Sequence, residues 1–74
     1  MDIEGRVFLL AIYKKKEDES LKDVILMLED SGVFSFKEGK KLLKSFKQNG
    51  FVDGENLTFV GTQKAKDAEL EFKI

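Results

Sequence analysis

Ser35-Phe36-Lys37-Glu38-Gly39-Lys40-Lys41-Leu42-Leu43-Lys44-Ser45-Phe46-Lys47-Gln48-Asn49 is the stretch on which the fold turns. Wound at about 100° per residue, it sorts by chemistry. Lys37, Lys40, Lys41, Lys44, Lys47 and Gln48 fall within one arc of roughly 120° on the helical wheel. Phe36, Gly39, Leu42, Leu43 and Phe46 fall in an arc of similar width centred well away from it, with Ser45 and Glu38 between the two. The spacing predicts a helix with one flank buried and the other cationic. Ser35-x-x-Glu38 is a capping box, in which a hydroxyl and a carboxylate satisfy two backbone N–H groups reciprocally. Asn49-Gly50 is the matching stop signal, and lysines in the last turn suit the negative end of the helix dipole. Gly39 lowers helix propensity, but on the buried flank it removes bulk and permits close approach by another helix.

Upstream, Ser20 reads as an N-cap with Asp23 at the third helical position, a variant of the capping box. Leu21, Val24, Ile25 and Leu28 follow on one face, Met27 flanks it and Leu26 points elsewhere. Glu29 and Asp30 oppose the dipole and predict a frayed end; Gly32 is placed to close it in a left-handed conformation. The first segment, about Ile3 to Lys15, has helical spacing at Ile3, Val7, Leu10 and Ala11. Phe8, Leu9, Ile12 and Tyr13 make it apolar nearly all round, which fits a central core helix. It equally fits a homodimer interface through Val7, Phe8, Leu9, Ile12 and Tyr13, or through the C-terminal segment. Lys14 to Glu19 is a charged connector.

Downstream, Phe51 and Val52 lead into Asp53-Gly54-Glu55-Asn56, which is turn chemistry, and Leu57-Thr58-Phe59 has strand-like residues. A short hairpin with its tip at Asp53 to Asn56 is expected, and it must pack on the helices to be stable. Gly61, Ala65, Ala68 and Phe72 then have helical spacing, with Thr58 or Thr62 able to cap. A helix is expected from about Phe59 to Leu70. Leu70, Phe72 and Ile74 alternate with Glu71 and Lys73, so residues 70–74 read as helix or strand. The expected fold is mainly α with a small β-hairpin, a three-helix core and a C-terminal helix, in one domain over residues 1–74.

Composition narrows the chemistry. The chain has 74 residues, 42% hydrophobic and 36% charged, with no cysteine and no histidine. Disulfides, thiol chemistry, Cys or His zinc sites and His-based acid–base catalysis are excluded. The fourteen carboxylates are scattered or lie in runs such as Glu17-Asp18-Glu19, without the buried pairing that acid–base work requires. There is no Gly-rich phosphate loop, and Asp53-Gly54-Glu55-Asn56 lacks the spacing of a calcium loop. No catalytic residue, metal site or cofactor is expected. The apolar run Val7 to Tyr13 is far shorter than the roughly 20 residues that span a bilayer, and neither it nor its flanks has the pattern of a signal peptide. The absence of cysteine favours a cytoplasmic setting.

Charge is segregated along the chain. Residues 1–34 carry five basic and eight acidic side chains (net −3), residues 35–49 five lysines against Glu38 (net +4), and residues 50–74 three lysines against five acids (net −2). A cationic stripe on an anionic domain suits a polyanion. It suits an acidic protein as well, and a merely solvated flank would share the pattern, although such flanks usually mix in Glu for i,i+4 pairs.

Three helices, the third amphipathic and basic, followed at once by a hairpin, resemble a winged helix-turn-helix domain. Asn49-Gly50-Phe51-Val52 resembles the passage from recognition helix to first wing strand in that superfamily. Leu57-Thr58-Phe59-Val60-Gly61-Thr62-Gln63-Lys64-Ala65 is similar to the Leu-Thr-x-x-Gly-x-x-x-Ala pattern that leaves the wing in bacterial and archaeal members. The likeness covers roughly Arg6 to Ala68. It implies a transcriptional regulator that sets the third helix on double-stranded DNA. Lys37, Lys40, Lys41, Lys44 and Lys47 would then meet phosphates, with Ser45 and Gln48 as base readers. Asp53 and Glu55 depart from the pattern, because acids at a wing tip repel phosphate. The alternative is a winged-helix protein-interaction module that does not bind DNA.

Overall fold

The computed structural model describes residues 2–72. Four helices and one hairpin follow in the order α1 (Ile3–Lys14), α2 (Leu21–Asp30), α3 (Phe36–Gln48), β1 (Val52–Asp53), β2 (Asn56–Leu57) and α4 (Phe59–Phe72). The architecture is mainly α with a small antiparallel hairpin, in which Val52 pairs with Leu57 and Asp53 with Asn56. Among the described residues no helix is long and apolar enough to cross a membrane.

Local chemistry sets the helix ends. The Asp2 carboxylate accepts from the Gly5 amide and starts α1. Both capping boxes are complete: Ser20 Oγ accepts from Asp23 N while Asp23 accepts from Ser20 N, and Ser35 and Glu38 do the same. α2 and α3 both stop in a Schellman motif. Gly32 and Gly50 take φ of 79° and 75°. Val33 N then donates to Leu28 O at 2.9 Å, and Phe51 N to Phe46 O at 2.8 Å. This is the 6→1 bond of the motif, and only glycine takes the left-handed position without strain. At the hairpin tip Gly54 has φ 61° and no non-glycine residue among those described has positive φ, as a type II′ turn requires.

The core is built on rings. Phe8 is fully buried and meets Phe34 edge-on at 5.4 Å and Phe46 at 5.4 Å; Phe46 in turn meets Phe51 at 6.0 Å. That chain ties α1 to the α2–α3 connector, to α3 and to the residue before β1. Leu9, Leu21, Val24 and Ile25 complete the fully buried set. Gly39 admits the Phe34 ring and Ile25 of α2, whose atoms would lie 2.7 and 2.8 Å from an added Cβ. α4 packs chiefly on α1 through the small buried residues Gly61, Ala65 and Ala68. Arg6–Glu71 at 3.1 Å and Lys14–Glu69 at 2.6 Å bridge the same two helices. The Glu69 carboxylate, hydrogen-bonded to Lys14, raises the pKa of that ammonium.

Two expectations need correction, and one alternative is resolved. Phe8, Leu9 and Ile12 are buried in the protein's own core and cannot serve a second copy; Val7 is half-buried, and of the proposed α1 interface only Tyr13 is exposed. The reason is that α4 covers the flank that α1 would otherwise present. Glu29 does not simply oppose the α2 dipole: its Oε2 accepts from Phe36 N at 2.9 Å, so it caps α3. Of residues 70–74, which read as helix or strand, 70–72 continue α4, and Lys73 and Ile74 lie outside the described residues.

The caps carry a pH dependence. The Ser20 backbone N–H holds the Asp23 carboxyl below the usual range, and the Ser35 N–H does so for Glu38. A depressed folded-state pKa contributes stability that is present above the unfolded pKa, about 4 here, and is lost as pH falls through the folded value. The urea midpoint is therefore expected to fall on acidification below about pH 4. It should fall less in an Asp23→Asn, Glu38→Gln double variant, which lacks both charges throughout. Urea titrations across that range check it.

Candidate nucleic-acid interface

α3 is held from three sides before its outer flank meets anything. Ser35 and Glu29 satisfy its first amides, Phe46 and Gly39 are buried, and Phe36, Leu42 and Leu43 are half-buried against the core. The registry is thereby fixed, and the outer flank cannot rotate inward. Lys37, Lys40, Lys41, Lys44, Lys47, Ser45 and Gln48 are all exposed. None of the five lysines forms an ion pair with another described residue; the carboxylates of Glu69 and Glu71 are engaged on α1 instead. Lys37 to Lys47 spans about 15 Å at 1.5 Å per residue, comparable to the rise of four to five base pairs at about 3.4 Å each.

Individual positions differ. The Lys40 ammonium stands 5.7 Å from the Phe36 ring centre, a cation–π contact one turn back along the helix. Lys41 borders a shallow depression shared with Asp2, Glu4 and Glu38, so the N-terminal end of the flank is partly offset by acids. Glu38, the one acid on α3, is committed to the Ser35 amide. Lys44 and Lys47 do not border that depression. Ser45 Oγ accepts from Asn49 Nδ2 at 3.3 Å, which leaves its hydroxyl proton to donate.

The hairpin does not extend this surface. Glu55, at its tip, turns back to accept from Leu21 N at 3.0 Å and so caps α2 from 34 residues away. No motif announces that contact in the sequence, because it exists only once the hairpin docks. The same fold-back makes an open groove of about 660 Å³ lined by Glu17, Asp18, Glu19 and Glu55 with Ile12 and Leu57. No residue of α3 lines it, and its acids repel a polyanion. The structure therefore brings together the lysines, Ser45 and Gln48 as expected, and removes Glu55 from any phosphate.

Comparison with known proteins returns no match: no family model, no curated protein and no solved structure is similar to the chain at a significant level.

Proposed function

We propose that this protein binds double-stranded DNA through the outer flank of α3, as a small winged-helix protein of the transcription-regulator type. The observation that carries the reading is the exposed row of five lysines on one rigid helix, unpaired with any described carboxylate. Order of elements supports it as well: three helices, a hairpin and a fourth helix are the succession that such domains use. Lysine contacts supply affinity and little sequence information, and the better bidentate readers are nearly absent from the flank. Binding is therefore electrostatic, with Gln48 and Ser45 adding modest preference.

Counterion release makes the reading measurable. With up to five phosphates neutralised at about 0.9 counterions each, affinity for duplex DNA is expected to drop by roughly two to three orders of magnitude between about 50 and 200 mM salt. Fluorescence anisotropy with a labelled duplex at a series of salt concentrations gives the slope. A flat slope, or no binding in dilute buffer, refutes the reading. The acidic groove beside the hairpin supports a second one, a protein-interaction module meeting a basic partner; such a module would leave bare DNA untouched.

A further inference from the structure

Five of the seven phenylalanines are engaged with other side chains. Phe8, Phe34, Phe46 and Phe51 stack on one another, and Phe36 carries the Lys40 ammonium. Phe59 is different. It opens α4 and is 79% exposed, the most exposed large apolar side chain among the described residues. Its place is fixed by its neighbour. Thr58 donates from Oγ1 to the Gly50 carbonyl and from its amide to the Phe51 carbonyl at 2.9 Å, and Thr58 Oγ1 accepts from Gly61 N at 3.0 Å. The start of α4 is thereby fastened to the turn that closes α3, directly after Lys47, Gln48 and Asn49.

We infer that Phe59 stacks on an unpaired base, and that the DNA this surface takes best contains a single-stranded stretch. The inference rests on the phosphate-binding reading of α3. Charge around the ring favours this occupant over an apolar protein. Residues 59–66 of α4 carry Lys64 and Lys66 and no acid, whereas Asp67, Glu69 and Glu71 are confined to the later part, where Glu69 and Glu71 pair with α1. Phe59, Gln63 and Lys66 follow one another at i, i+4 and i+7 on the side of α4 opposite the buried Gly61, Ala65 and Ala68. The centres of protein–protein contacts are depleted of lysine, yet this ring has lysines before it on α3 and after it on α4. A nucleobase offers what such a ring needs, an apolar face carried on a phosphate. In a blunt duplex those faces are covered by neighbouring bases; in a single strand they are open. Stacking of a base on an aromatic side chain tolerates every sequence, which agrees with a flank poor in base readers.

The test uses the full chain and three labelled probes at low salt: a blunt duplex, the same duplex interrupted by a short single-stranded gap, and oligo(dT). Wild type is expected to bind the gapped duplex and oligo(dT) more tightly than the blunt duplex. Phe59→Ala should weaken the first two by about 5- to 150-fold, the range for loss of one stacked base, and leave the blunt duplex unchanged. Phe59→Leu keeps apolar bulk without a π-face and should lose as much. The chain has no tryptophan, so Phe59→Trp supplies a single reporter whose emission oligo(dT) should quench. Equal affinity of wild type and Phe59→Ala for the gapped probe overturns the stacking role while leaving the phosphate reading in force. An unquenched Trp does the same. A wild-type dimer that Phe59→Ala converts to monomer assigns the ring to a second copy and overturns it. Failure of all three probes to bind removes the phosphate reading, and the inference with it.

Discussion

Gly61→Ala is expected to be the most destabilising single-methyl change in the protein. A Cβ built on Gly61 would stand 1.9 Å from the Phe51 carbonyl oxygen and 2.8 Å from its carbon. Both are backbone atoms, and the backbone there has nowhere to go. The Phe51 oxygen already accepts the Thr58 amide, and the Phe51 amide closes the Schellman motif of α3 on Phe46. Its ring stacks on Phe46 at 6.0 Å. Relief must come from lifting α4 off the hairpin, which loosens Ala65 and Ala68 from α1. Overpacking of this kind costs about 1–3 kcal/mol, and the immovable partner places Gly61 at the top of that range. Better helix propensity returns about 1 kcal/mol at most. A net loss of about 2 kcal/mol is large against a total of roughly 4–11 kcal/mol for a chain this size. It corresponds to a fall in Tm of roughly 8–16 °C. Thermal melts of Gly61→Ala beside Lys64→Ala, an exposed position on the same helix, provide the measurement; a fall of less than about 3 °C would show that α4 yields freely. Gly39→Ala should be milder, since its neighbours are the ends of the Phe34 and Ile25 side chains.

Gly61 also shows where the sequence is legible and where it stops. Its helical spacing with Ala65 and Ala68 is plain in one dimension, as are the two capping boxes, the glycine stops and the two-sided wheel of α3. All of these are set by residues within about four positions of each other, the range over which helical neighbours interact. The reason Gly61 must be glycine is not legible, because it lies in the Phe51 carbonyl, which arrives from another element. Glu55 on Leu21, Glu29 on Phe36 and the Arg6–Glu71 pair belong to the same class. Each joins an acid that reads as surface charge to a donor fixed only by docking. For the candidate site the division falls differently. The lysines are legible because they lie on one helix with one buried flank. Phe59 is not: the Thr58 cap and the helix start at Phe59 are legible, but how far the ring stands out of the fold is set only when α4 packs on α1 through Gly61, Ala65 and Ala68.

Replacing Lys40, Lys41 and Lys44 together by Glu is expected to abolish binding to duplex DNA at any salt concentration. Five lysines and one acid in residues 35–49 become two lysines and four acids, so a net charge of +4 becomes −2. All three side chains are exposed and the inward flank of Phe36, Gly39, Leu42, Leu43 and Phe46 is untouched. The fold should therefore survive, with only a few tenths of a kcal/mol lost where a carboxylate late in the helix opposes the dipole. Far-UV circular dichroism and a urea midpoint near the wild-type value would establish that any loss of binding is not unfolding. Charge reversal alone leaves open how many contacts were made. The triple Gln variant answers that: each phosphate contact removed lowers the salt slope by about 1, so a fall of about 3 says that all three lysines met phosphates. A smaller fall would shift the contact toward Lys44 and Lys47, the end of α3 away from Asp2 and Glu4 and toward the Gly50 turn that Thr58 holds. Undiminished affinity in the Glu variant would mean that the flank is solvated and that DNA, if bound at all, is met by a different surface.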